Sequence, residues 1–302
     1  MALNKHNWIV IVLIVVLAVT ATTAGIFSSE GPGAHQYTSI RGTIVTLYGK
    51  GLYRDMSAEV APQGIAQDYV TLLIGIPLLI VAFFMDGKGS IRGKYLLTGV
   101  LGYFLVTYSF YTAMAMYNKL FLVYVGLLGT SFYSFLASLL SFNVYEIKSN
   151  FSPSAPFKTA GGFLMFIAVT IGLLWLSIIV PSLLNGTIVP KEVEHYTTLI
   201  VQGFDLGILL PGAFICGLLW SRKAPLGYLL TPVYFIFLSV LMTALTAKVI
   251  AMGLLGYNVM PVIFIIPTFN LATILCTIQI LKSIREPSHL NRKFPRKVEL
   301  TM

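Results

Sequence analysis

The sequence predicts an all-α, polytopic membrane protein with eight transmembrane helices, and three observations carry that prediction. Of its 302 residues 57% are apolar and only 10% charged, against roughly 45–50% and about 25% in soluble domains. The apolar residues gather into separate runs of about 20, the length that crosses a hydrocarbon core of roughly 30 Å at 1.5 Å per residue. Apart from Asp205 and Lys248, the charged residues fall between those runs or at their ends, where lipid does not reach them.

Hydropathy places helices near residues 8 to 27, 69 to 85, 95 to 117, 120 to 142, 161 to 184, 199 to 220, 226 to 254 and 258 to 283. The first run, after Lys5 and His6, has the flank of a signal peptide. Its length and the want of a small-residue cleavage site favour a retained anchor, and cleavage would leave seven helices. With the N-terminus inside, fourteen Lys and Arg residues fall on the inner side and five (Arg41, Lys50, Arg54, Lys119, Lys191) on the outer. That bias predicts both termini in the cytoplasm, and the expected location is a prokaryotic plasma membrane. The tail 285–302 is basic, carrying Arg285, Arg292, Lys293, Arg296 and Lys297.

A repeat emerges at a nearly constant offset. Tyr95-Leu96-Leu97-Thr98 recurs as Tyr228-Leu229-Leu230-Thr231, a shift of 133 residues, and Pro77 matches Pro211 and Thr112-Ala113 matches Thr246-Ala247 at 134. Asp68 and Asp205 lie 137 apart. The expectation is a parallel 4+4 repeat, with residues 1–150 and 151–284 as two four-helix halves in the same orientation, a pattern found among transporters. Chance similarity between apolar segments is the competing reading.

Loop one, Ser28 to Gln67, is the one long extramembrane segment. Its β-branched and aromatic middle, Tyr37 to Arg54, predicts a short extracellular hairpin. Ordered loops of this length often cap or line a site.

An ionisable group within a membrane helix costs about 2.5–3.5 kcal/mol on insertion scales, so each is a candidate for function. Asp205 and Lys248 qualify, and both fall roughly 9 Å below the outer boundary. They are placed to form an ion pair, with snorkelling of the lysine stem as the alternative. Asp68 groups with Glu59 and Arg54 at the expected outer mouth of helix two, where a carboxylate commonly serves a helix start. Tyr103, Thr107, Tyr108, Tyr111 and Thr112 make helix three hydroxyl-rich, and Tyr111 is a candidate cavity residue. Asn270 heads a polar stripe with Thr273 and Thr277 on helix eight, while Ser131, Ser134, Ser138 and Ser141 share a face of helix four. Such stripes, and Gly203-x-x-x-Gly207 on helix six, most often serve helix packing.

Several classes are excluded or disfavoured. The net charge of +9 lacks the basic, aromatic-interleaved face of a nucleic-acid binder. Cys216 and Cys276 sit in apolar runs and read as small hydrophobes. His35 and His195 with Glu30, Glu192 and Glu194 are too scattered to specify a metal site. Catalytic motifs are missing, so no cofactor is expected. Two functions remain: a small-solute or ion transporter with a polar site between the halves, and a non-transporting sensor, scaffold or assembly factor that uses loop 28–67. The bilayer is the assured partner, with a protein partner or a second copy of the chain in the alternative reading.

Overall fold

A computed structural model describes residues 5–286; most of the basic tail, including Arg292, Lys293, Arg296 and Lys297, lies outside them. Among these residues eight helices are long and apolar enough to cross a membrane. They are α1 (Lys5–Phe27), α2 (Ala61–Gly87), α3 (Ile91–Met114), α4 (Phe121–Leu140), α5 (Phe157–Leu184), α6 (Ile200–Ser221), α7 (Pro225–Leu254) and α8 (Val262–Ser283). Helices α3 and α7 form the centre: Gly99 lets Ile236 approach so closely that a Cβ there would meet the Ile236 Cβ at 2.5 Å.

Helix α2 starts eight residues before the expected position. Pro62 occupies its first turn, where the missing N–H costs nothing, but the polar Gln63, Gln67 and Asp68 depress local hydropathy. Asp68 therefore lies two turns inside the helix, correcting the expectation that it serves a helix start.

Both α2 and α6 are interrupted by a π-helical segment, Thr71–Gly75 and Asp205–Leu209 respectively. In each case a proline follows two residues later, Pro77 and Pro211. The ends of α2 and α6, Gly87 and Ser221, and the starts of α3 and α7, Ile91 and Pro225, are likewise 134 residues apart. The tight turns agree as well: a Cβ on Gly93 would meet Met85 at 2.5 Å, and one on Gly227 would meet Leu219 at 2.6 Å. The repeated tyrosines touch, the Tyr95 hydroxyl donating to the Tyr228 carbonyl at 2.8 Å.

Loop one contains an antiparallel hairpin, β1 (His35–Thr38) with β2 (Ile44–Leu47), in which Tyr37 opposes Val45. The segment joining α5 to α6 is clamped beneath it. Arg41 donates to the carbonyls of Tyr196 (2.8 Å) and Thr197 (3.0 Å), and the Ser57 N–H donates to the Tyr196 hydroxyl at 3.1 Å. Glu194 adopts φ +50° here, and burial pushes its carboxyl up despite an opposing hydrogen bond from Ser57.

On the opposite side, Glu286 reaches the start of α3. Its carboxylate accepts from Ser90 Oγ (2.7 Å) and from the Ile91 and Arg92 N–H groups (2.9 and 3.0 Å), while Arg92 donates to the Ile284 carbonyl at 2.7 Å. These are the donors that a helix start leaves unsatisfied.

The serine stripe behaves as packing: Ser131 is buried and Ser138 meets Thr98 at 2.6 Å. Gly203 and Gly207 do not serve a helix contact, since a Cβ on either would meet nothing within 4 Å. The close approach of α5 and α6 occurs instead where Gly161 faces Gly217, with each built Cβ 2.6 Å from the other glycine's carbonyl oxygen.

Candidate functional site

Helices α2, α3, α6 and α7, with Tyr53 and Met56 of loop one, line a partly open cavity of about 140 Å³. Its walls include Phe110, Met114, Val201, Leu241 and Leu245, and its polar lining includes Gln67, Thr107, Tyr111, Asp205 and Lys248. Counted along their helices, Asp68, Asp205 and Lys248 all stand roughly 8–10 Å below the ends nearest loop one.

Asp205 begins the π segment of α6, and its Oδ2 accepts from the indole Nε1–H of Trp175 on α5 at 2.8 Å. Lys248 faces the same cavity from α7. The expected ion pair is not formed: among the described residues the one ion pair within 4.0 Å is the exposed Arg54–Asp55 contact. Lys248 nevertheless lies within electrostatic range of both Asp205 and Asp68. Two opposite charges are thus held apart across a shared space.

Asp68 sits just behind that space and is 2% exposed. Tyr53 donates to its Oδ2 at 2.5 Å, and Tyr111 to its Oδ1 at 2.9 Å. Burial, and then the adjacent carboxylate, hold the Tyr53 phenol well above its usual range, so it remains a donor. Helix α1 completes the pocket at Gly25, where any Cβ would collide with the Asp68 carboxylate. A second string of polar groups runs alongside. Gln67 donates to the Tyr103 hydroxyl at 2.7 Å, which also meets Thr71 Oγ1 at 2.7 Å. The Thr107 hydroxyl is buried without a hydrogen-bond partner, as is that of Tyr124 beside Tyr111.

Of the residues singled out in the sequence, Asp205, Lys248 and Tyr111 line one cavity and Asp68 backs it. Asn270 stands apart, accepting from Thr243 at 3.3 Å. Tyr53, Gln67 and Trp175 were not anticipated. Tyr53 belongs to a loop and Trp175 to an otherwise apolar run, so neither carries a local signal of its role. Among the described residues no group of three or more His, Cys, Asp or Glu side chains is placed to hold a metal; His35 is engaged with the Gly33 carbonyl and His195 with that of Asp55. The chain is a multi-pass membrane protein by its eight apolar helices. Comparison with known families, characterised proteins and solved structures finds no match.

Proposed function

We propose that this protein is a small-solute or ion transporter, with its site in the cavity under loop one and between two four-helix halves. The observation that carries the reading is the pair of opposite intramembrane charges, Asp205 and Lys248, lining one cavity without closing on each other. Charges in a membrane interior are costly, and a purely structural pair would be expected to meet.

The halves are a parallel repeat related by an axis along the membrane normal. Support comes from the matched π segments and prolines, the common 134-residue offset of helix ends, and the contact between Tyr95 and Tyr228. π segments favour functional sites because they redirect side chains and free a carbonyl. Both termini face the cytoplasm in this reading, as the distribution of Lys and Arg favours.

The test is solute permeation into vesicles holding the purified protein, followed by light scattering after an osmotic step. The solutes are amino acids, short carboxylates, short amines and alkali-metal salts. At least one is expected to permeate, and Lys248→Met and Asp205→Asn are each expected to abolish its flux while the melting temperature stays near wild type. Unchanged flux in both variants would refute the site.

One observation favours a second reading, a partner-binding role for loop one: the hairpin tip exposes Ile40 (87%) and Ile44 (66%). Replacing both by serine would then remove a crosslinked partner in cells without altering vesicle flux, and undiminished crosslinking would sink that role.

A further inference from the structure

The charges lining the cavity specify what would fill it. Trp175 occupies Asp205 Oδ2, and no described residue donates to Oδ1. Lys248 makes no hydrogen bond to any described residue, and its nearest carboxylates stay beyond 4.0 Å. Each charge therefore keeps bonding capacity directed at a shared, mostly apolar space. Asp68, the other carboxyl in range of Lys248, already has both oxygens bonded by Tyr53 and Tyr111; a bare anion in that space would therefore answer Lys248 and leave Asp205 unmatched, and a bare cation would do the reverse. An uncharged solute would leave both desolvated charges without a partner, which a low-dielectric interior penalises.

We infer that the cavity binds a small zwitterion, an α-amino acid with an apolar side chain. Its ammonium group lies at Asp205, its carboxylate at Lys248, and its side chain against Val201, Leu241 and Leu245. About 140 Å³ is close to the roughly 150 Å³ void that takes benzene, about six heavy atoms, so alanine fills it and a larger side chain extends through its open side. The inference rests on the transporter reading for the purpose of the site, but binding is measurable without transport.

The built-in reporter is Trp175, whose indole bonds to the residue that would meet the ammonium group. The full chain in lipid nanodiscs is titrated with L-alanine, L-valine and L-leucine, and with isobutylamine and isovalerate, which each keep valine's carbon frame on one side and one of its two charges. Tryptophan fluorescence is followed, with calorimetry as an independent readout. L-valine is expected to bind at least tenfold more tightly than either singly charged analogue. Asp205→Asn should shift preference toward isovalerate and Lys248→Met toward isobutylamine. Equal binding of L-valine and the analogues by the wild-type protein, or binding of none of the three amino acids, would overturn the inference, and that comparison needs no variant to fold. Folded variants whose preference does not invert would overturn the assignment of the two charges. Amino-acid binding without any solute flux would refute the transporter reading and keep the site; flux of another solute without amino-acid binding would do the opposite.

Discussion

Removing the Tyr53 hydroxyl tests whether loop one is held to the membrane domain through a charge. In Tyr53→Phe the ring, 2% exposed and packed 3.4 Å from a Cβ built on Gly64, keeps its apolar contacts and loses only the 2.5 Å bond to Asp68. Neutral side-chain hydrogen bonds between membrane helices average about 0.6 kcal/mol. A bond to an ionised acceptor contributes about 1.5–3 kcal/mol. With about 1.4 kcal/mol per tenfold change in an equilibrium constant, the larger range lowers the folded-to-unfolded ratio roughly 10- to 150-fold. Equilibrium unfolding in mixed SDS and non-ionic micelles measures the loss, and a cycle with Asp68→Asn isolates the pairwise part. At a pH high enough to ionise Asp68, the expected coupling is about 1.5 kcal/mol or more. Tyr53→Phe/Tyr111→Phe should cost more than the sum of its parts, because a buried carboxylate would lose both donors. A coupling within about 0.5 kcal/mol of zero would refute the reasoning, since Asp68 would then not depend on its phenol donors.

Two further predictions test the packing and the end of the described chain. Gly217→Val places side-chain atoms where its Cβ alone comes within 2.6 Å of the Gly161 carbonyl oxygen; it should prevent α5 and α6 from closing and abolish a monodisperse, folded peak in size-exclusion chromatography, whereas Gly207→Ala, with nothing within 4 Å, should leave that peak unchanged. For Glu286, burial pushes the carboxyl up, but hydrogen bonds from Ser90, Arg92 and Ile91 outweigh it, so its folded value lies below the usual range. A depressed carboxylate contributes stability that is complete above its unfolded value and is lost as pH falls through the folded one. Glu286→Gln should therefore lower the thermal midpoint at neutral pH, by the equivalent of about 0.5–1 kcal/mol for a helix-start contact. The gap should close in strongly acidic solution, and a gap independent of pH would contradict the charge-assisted contact.

The membrane architecture was legible because burial in lipid acts on composition over whole segments. Eight apolar runs remain apolar whatever they pack against, so their number and approximate limits followed from hydropathy. The depth shared by Asp205 and Lys248 followed from counting residues along regular helices. What resisted reading depends on contacts between distant segments. Gln63, Gln67 and Asp68 made the start of α2 look like a loop, because the burial of Gln67 and Asp68 among tyrosines from loop one and α3 has no local signature. The small-residue motif of α6 pointed to the wrong glycines; Gly217 packs because Gly161, 56 residues earlier, faces it. The π segments were also unseen, since one extra residue in a turn leaves composition unchanged.

That extra residue alters how α2 and α6 are wound. At 3.6 residues per turn, one inserted position rotates everything beyond it by about 100°. Each of these helices is therefore two rods set out of phase, Ala61–Val70 with Ile76–Gly87 in α2 and the short Ile200–Phe204 with Leu210–Ser221 in α6. The part nearer loop one turns Asp205 toward the cavity, or Asp68 toward Tyr53 and Tyr111 behind it, and the farther rod chooses its own buried stripe. Shortening either segment by one residue would restore a continuous helix, leaving every side chain chemically intact while swinging one rod's entire face away from its neighbours. In this molecule the aim of the intramembrane carboxylates is set by chain length as much as by residue type.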